Sequence, residues 1–323
     1  MRILSTLIGA ATLAAATFVT PTAAQQAWPT RTVKFILPLG AGSGVDIGAR
    51  MIADKLSQKW GQPVVIENRP GGDGIVAISA FTGAKDDHVL LMAPTSTFTA
   101  HPYLHDKLPY DPRDLSPIVR ISNTIVAVVV PSSSSIKTVR ELVETARANP
   151  GKLNWATITG MFDFVFAGFQ KKMGIEIAKV PYRDTVQAVN DLAEGRIQVM
   201  MSAIAIVRPR VQAGAIRMIA VTASERAAVA PDIPTTAEAG YPDIRIDGLT
   251  GLFGPRDLPG EVRDRIAADV TAAASDPTIT ARLLATGQVV NPGGPAEFGA
   301  AIHAQRAQVE ATGRLLGIKP ASN

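Results

Sequence analysis

The sequence predicts an α/β fold in about two domains, on three observations. Short, almost wholly apolar runs alternate with amphipathic helical patterns from residue 33 to residue 222. Such runs suit strands buried on both faces. A length of 323 residues with 46% hydrophobic content also exceeds what one ordinary domain core uses. Strands alternating with helices build layered sheets joined by right-handed crossovers.

The first segment is an export signal by its pattern. Arg2 supplies a positive charge, residues 3–19 are uncharged and apolar or small, and Thr22 and Ala24 stand where a cleavage site wants small side chains. The run is short for a membrane span, and no Cys follows to carry a lipid. The sequence therefore predicts a signal peptide over 1–24 and an exported, periplasmic chain from about Gln25.

Strands are expected at 33–37, 64–66, 89–93, 125–130, 197–201 and 217–222. Between them, Ala49, Ile52, Ala53, Leu56 and Trp60 share one helical face, and Gly61 ends that helix. Thr138 and Glu141 have capping-box spacing at the start of a helix over 138–148. Val186, Val189, Leu192 and Ala193 line another, closed by Gly195. The last third turns helical at 261–275, 278–286 and 297–316. Two segments, 119–130 and 244–254, read as crossings between domains. Domain I then comprises 25–123 and 245–323, domain II comprises 124–244, and the helical tail packs back on the N-terminal half.

Composition removes several functions. Lys and Arg number 32 against 28 Asp and Glu, with no basic block interleaved with aromatics, so nucleic acid finds no concentrated basic face. The absence of Cys excludes disulfides, thiolate metal sites and a cysteine nucleophile. His101 and His105 have i, i+4 spacing, but Pro102 intervenes and no Glu lies between them. They read as surface or capping residues, and no metal or cofactor is expected.

The loops carry binding chemistry. The first strand runs into Pro38-Leu39-Gly40-Ala41-Gly42-Ser43-Gly44-Val45-Asp46, where a helix begins. Strand, glycine-rich turn and helix together suit an anion, because the first helical N–H groups lack partners and the dipole adds positive charge. The spacing fails the dinucleotide and phosphate-loop patterns, and the flanks of Ser43 fail the serine-hydrolase elbow. A plain tight turn with Asp46 as a cap is the structural alternative. A second loop, Thr95-Ser96-Thr97-Phe98, offers hydroxyls; a third, Thr159-Gly160-Met161-Phe162-Asp163, mixes donors with bulky apolar groups. Arg183 and Ser202 complete the candidate ligand-binding set.

Several further runs carry a resemblance. Trp28-Pro29 opening into a strand, Gly61-Gln62-Pro63-Val64-Val65-Ile66-Glu67-Asn68-Arg69-Pro70-Gly71, Leu108-Pro109-Tyr110-Asp111-Pro112, Val180-Pro181-Tyr182-Arg183 and Gly251-Leu252-Phe253-Gly254-Pro255 follow in order. With them the chain resembles the Bug receptor family, the TctC-like solute-binding proteins of tripartite tricarboxylate transporters, over nearly all of the mature sequence. The resemblance implies a type II-like periplasmic solute-binding fold, the Venus flytrap, with each domain a mixed sheet flanked by helices. It implies a monomer that closes on a small carboxylate, held by main-chain amides and waters, for membrane transporter subunits to take up, and no catalysis.

The chain departs from the family at the loops. Ala41 stands where Pro is frequent, Ser96-Thr97-Phe98 where a Gly-Thr-His-like run is frequent, and Met161-Phe162-Asp163-Phe164-Val165 replaces a small, hydroxyl-rich run. Ser202-Ala203 replaces an Asp-Asn pair, and neither Leu249 nor Thr250 is aromatic. Bulky apolar groups thus stand where small polar ones are usual. That favours an aromatic carboxylate or a medium-chain dicarboxylate over citrate. Asp163 either caps a helix or meets an amino group or ring nitrogen of the ligand. Two other readings remain at this point, a sensor domain signalling to a membrane kinase and, less favoured, an exported hydrolase.

Overall fold

The computed structural model describes residues 28–157, 160–182 and 184–321. The signal-peptide segment, Thr159 and Arg183 lie outside the described residues. Six strands form one sheet: β1 (Val33–Leu37), β2 (Val64–Asn68), β3 (Val89–Pro94), β4 (Ser116–Thr124), β10 (Gly248–Gly254) and β11 (Gln288–Gly293), in the order β11-β4-β10-β3-β1-β2. Five form the other: β5 (Val126–Pro131), β6 (Asn154–Thr157), β7 (Ala178–Pro181), β8 (Val199–Ala203) and β9 (Ile216–Val221), in the order β7-β6-β8-β5-β9.

Both sheets are mixed. Phe35 of β1 lies opposite Ile66 and Leu90 in parallel register, whereas Thr250 of β10 faces Pro94 and Ser122 antiparallel. In the second sheet, Val128 faces Met201 and Ala220 antiparallel.

Helices cover each sheet. α1 (Gly44–Trp60) buries the face Val45, Ala49, Ile52, Ala53, Leu56 and Trp60, and ends at Gly61, whose φ of 66° suits glycine. α9 (Gly260–Ala274) and α10 (Pro277–Ala285) pack beside it through Ile266, Val270, Ile279 and Leu283. The opposite face of the first sheet carries α2 (Ile75–Ala84), the short α3 (Ser96–Thr99) and α4 (His101–Leu104). The second sheet is flanked by α5 (Val139–Ala148), α6 (Met161–Met173), α7 (Thr185–Ala193) and α8 (Ile204–Gln212). Thr138 caps α5 by accepting from Glu141 N at 3.1 Å, as its spacing predicts.

α11 (Pro295–Leu316) departs from the expected tail. Its first half buries Phe298 and Ile302 with the first sheet, but Val309 belongs to the core of the second. Gly168 lets α6 and α11 approach, since a Cβ there would lie 2.6 Å from Thr312 Cγ2. The helix is long enough to reach both lobes, which an amphipathic pattern alone does not reveal.

Two chain crossings join the sheets, and Thr222 ties them. Ile125 alone separates β4 from β5. The Thr222 hydroxyl donates to Val126 O at 3.4 Å and to Ile246 O at 3.1 Å, while Ile246 N donates to Thr222 O at 3.0 Å. Thr222 is wholly buried. At Gly248 the crossings pass backbone to backbone: a Cβ would meet Thr124 O at 2.2 Å.

Candidate ligand-binding cleft

A cavity of about 550 Å³ opens between the two sheets. The first lobe supplies Leu39, the turn 42–45 and Ser96, at the carboxyl ends of β1 and β3; the second supplies Phe162, Ala203, Ala205 and Ile206. Ligands of open α/β sheets bind at such strand ends. α1, α6 and α8 all begin at this cavity. Their positive ends converge from both lobes. No charged residue stands among the described residues that line it.

The glycine loop is built from within. Gly42 adopts φ 83° and donates its N–H to Asp46 Oδ2 at 2.8 Å. Ser43 caps α1, accepting from Asp46 N at 3.3 Å. Asp46 is buried and also receives Arg50 and Asn68, at 3.0 and 2.9 Å on Oδ1. Burial works against the Asp46 carboxylate, but hydrogen bonds from Arg50, the Gly42 amide and Asn68 outweigh it and hold its pKa below the ordinary value. Asp46 therefore ties the loop from within and is not among the residues that line the cavity. The Gly42 amide is likewise committed. Among the cavity's donors that have no protein partner among the described residues are Gly44 N–H and Val45 N–H on α1 and Ala205 N–H and Ile206 N–H on α8.

Of the seventeen sequence candidates, Leu39, Gly42, Ser43, Gly44, Ser96 and Phe162 come together on this cavity. Ala41 is exposed on the loop and lies off it. Thr95 is fully buried and spends its backbone on Leu249, Phe98 and Thr99. Thr97 packs its methyl against Gly74, where a Cβ would sit at 2.1 Å. Phe98 turns into the core, edge-on to Phe253 at 5.2 Å. Gly160 precedes α6 as its N-cap. Met161 is buried with the second lobe's core, and Ser202 is buried on β8. Asp163 pairs with Lys179 in the first turn of α6. Phe164 packs inward, 5.7 Å from Tyr103. In each of these loops the helical repeat aims one side chain outward and its neighbours inward, so adjacent candidates part company.

Sequence reasoning missed Thr286 and Gln288, which lie directly behind Gly44. Gln288 is buried; its Oε1 accepts from Ser122 Oγ at 2.8 Å, while Nε2 has no partner and borders the cavity. It sits in a strand of mixed polarity near the tail, with no motif around it. The apolar wall of Val45, Ile47, Val126, Ile206 and Ile246 was also unread beyond its general hydrophobicity.

A larger cavity, about 760 Å³, lies between α6, α11 and the 242–247 crossing. Its basic residues Arg120, Lys172 and Arg245 are already paired with Glu297, Asp243 and Asp247. It receives none of the three candidate loops, and among the described residues that line it no cation is left unpaired for an anion.

The comparisons agree with this architecture. The family model described as the tripartite tricarboxylate transporter family receptor matches residues 48–297. A UPF0065 protein of Bordetella bronchiseptica is 29% identical over 308 residues, covering 93% of this chain and 90% of that protein. The structure of R. palustris Rpa4515 with adipate superposes with a TM-score of 0.77 at 29% identity, covering 91% of this chain and 99% of that one. MatC (Rpa3494) from Rhodopseudomonas palustris with bound malate gives a TM-score of 0.74 at 26% identity, covering 88% and 99%. No helix among the described residues is long and apolar enough to cross a membrane. The matching family is one of transporter receptors, not of enzymes. The chain belongs to the tripartite tricarboxylate transporter receptor family and is a periplasmic solute-binding receptor of the TctC, or Bug, type.

Proposed function

We propose that the cleft captures a carboxylate with a substantial apolar body, a medium-chain dicarboxylate or an aromatic carboxylate, for uptake by tripartite membrane transporter subunits. The observation that carries this is the pairing of uncommitted main-chain donors with an apolar wall. Gly44 and Val45 N–H groups, with the Gln288 amide behind them, offer neutral donors at the start of α1. A carboxylate there is hydrogen-bonded and faces the helix dipole, which offsets its loss of water. Ile47, Val126, Ile206 and Phe162 then meet the carbon chain or ring. A ligand with polar groups all round, such as citrate, leaves those groups unpaired against this wall. The relative solved with adipate has a six-carbon diacid, which agrees with the reading.

Capture proceeds by closure of the two lobes about the crossings tied by Thr222, with domain I as 25–123 and 245–323 and domain II as 124–244. The ligand favours the closed form because only that form gives it donors from α1 and α8 together. A thermal-shift screen tests the ligand class with adipate, terephthalate, nicotinate, citrate and acidic amino acids. At one hundred times Kd a ligand adds about 2.7 kcal/mol, a rise of several degrees. A rise with adipate or an aromatic acid, larger than with citrate, is expected. A rise with citrate alone overturns the proposal.

A further inference from the structure

A cluster of metal-ligating side chains lies outside the cleft, where α4 meets the loop before α2. His101 Nε2 is 3.6 Å from Asp73 Oδ2, and His105 Nε2 is 4.0 Å from the same oxygen. The three ligand atoms lie within 4.8 Å of one another. His101, read from the sequence as a surface or capping residue, is in fact wholly buried.

Each residue is set up for coordination. His105 Nε2 is buried and has no hydrogen-bond partner, although a third of the side chain is exposed. An unpaired buried polar atom of this kind calls for an explanation. His101 Nδ1 meets Tyr110 Oη at 2.6 Å. A metal-bound imidazole has just such an outer partner on its other nitrogen, which fixes tautomer and ring. Asp73 adopts φ 55°, unusual outside glycine, and thereby brings its carbonyl oxygen within 2.9 Å of His101 Nε2 while its carboxylate stays on the same side. Without a metal, Nε2–H donates to that carbonyl and Tyr110 donates to Nδ1. With one, the imidazole proton moves to Nδ1 and donates to Tyr110, the Nε2 lone pair turns to the ion, and Asp73 O, now 2.9 Å from Nε2, gives up that donor and shifts aside.

The other acid–histidine cluster behaves differently. His88 Nδ1 meets Asp87 Oδ1 at 2.6 Å, its Nε2 accepts from Thr30 N at 3.0 Å, and Asp86 holds Arg31. All of its groups are satisfied by the protein, so it serves as an internal control.

We propose that Asp73, His101 and His105 form a binding site for a divalent transition-metal ion, with Zn²⁺ suited best to two imidazoles and one carboxylate. Tetrahedral ligands about 2.0–2.1 Å from zinc lie about 3.4 Å from each other. The Asp73 Oδ2 separations of 3.6 Å to His101 and 4.0 Å to His105 need to contract by about 0.2 and about 0.6 Å. Three protein ligands leave a fourth position for water. The site stands at the meeting of the lobes, because a Cβ on Gly160 would lie 3.3 Å from Asp73 Oδ1. An ion there would fix the 71–74 loop against α4 beside the start of α6.

Calorimetric titration of the purified, chelator-stripped chain, free of any affinity tag, with ZnCl₂ tests the site. One ion per chain is expected, with affinity lowered tenfold or more in His105→Ala and in Asp73→Asn and unchanged in His88→Ala. Both test positions are partly exposed, and unfolding curves establish that the variants fold. Absence of saturable Zn²⁺ binding overturns the proposal, as does binding that survives His105→Ala or is lost in His88→Ala.

Discussion

Asp46 and Gln288 show how single side chains divide the work of the cleft. Asp46 orders the loop from inside, and its ionised form is the one its partners favour. Its folded pKa is below the ordinary 3.8, so its stabilisation is complete above that value and is lost as pH falls through the folded value. Asp46→Asn should cost about 2 kcal/mol at neutral pH. The gap from the unsubstituted protein should close below pH 3.8, as urea unfolding at stepped pH would measure. Gln288→Leu removes an unpartnered Nε2 donor from the cavity wall. It should weaken adipate binding about tenfold by calorimetry, the loss expected for one hydrogen bond to a charged group. The two residues also mark what a sequence displays. Asp46 was singled out because it closes the glycine-rich turn where a helix begins, but the sequence shows neither that Ser43 is the cap nor the direction of the Asp46 carboxylate. Gln288 was invisible, since its role comes from Gly44 being packed against it across 244 positions of chain.

At the scale of elements, the continuous apolar strands were legible and the strands carrying polar side chains less so, whatever their direction of pairing; β5 is antiparallel to both its neighbours. β3 and β5 are continuous apolar runs and β1 is one but for Lys34, as burial on both faces requires. β4 carries Arg120, Ser122 and Asn123, and β11 carries Gln288 and Asn291, so neither reads as a core strand. The three loops were found because turn chemistry is local; which side chain of each faces the cleft depends on helix phase, and phase is set by packing. The start of α1 is the element on which carboxylate capture rests. Gly44→Pro removes one of its two uncommitted donors and pushes a side chain toward Gln288 Nε2 and Thr286, which a Cβ would already approach to 3.1 and 3.2 Å. Affinity should fall by more than tenfold in equilibrium dialysis, with the fold retained by circular dichroism. Unchanged affinity would remove this element from the site.

Across the whole molecule, two sheets share a pair of crossings, a straddling helix and a cleft. The number of domains was legible from length and from the return of strand-like sequence after residue 244. The straddling of α11 was not, because Phe298 and Val309 lie on one continuous apolar stripe that feeds two separate cores. Thr222 is the only side chain among the described residues whose hydroxyl bonds to both crossings. Thr222→Val keeps the shape but leaves Val126 O and Ile246 O with one donor fewer. It should cost about 1–2 kcal/mol in urea unfolding. It should also loosen the crossings, so that solution scattering finds a smaller compaction when ligand is added.

The central claim is that main-chain donors at the start of α1 hold the ligand while both lobes enclose its apolar body. Amide chemical-shift mapping of the ¹⁵N-labelled chain during an adipate titration tests it directly. The account predicts the largest shifts at Gly44 and Val45, with accompanying shifts at Ala205 and Ile206 from the facing lobe. Saturable binding that leaves all four amides unmoved and perturbs residues around Gln305 and Lys172, beside α11 and α6, would contradict it.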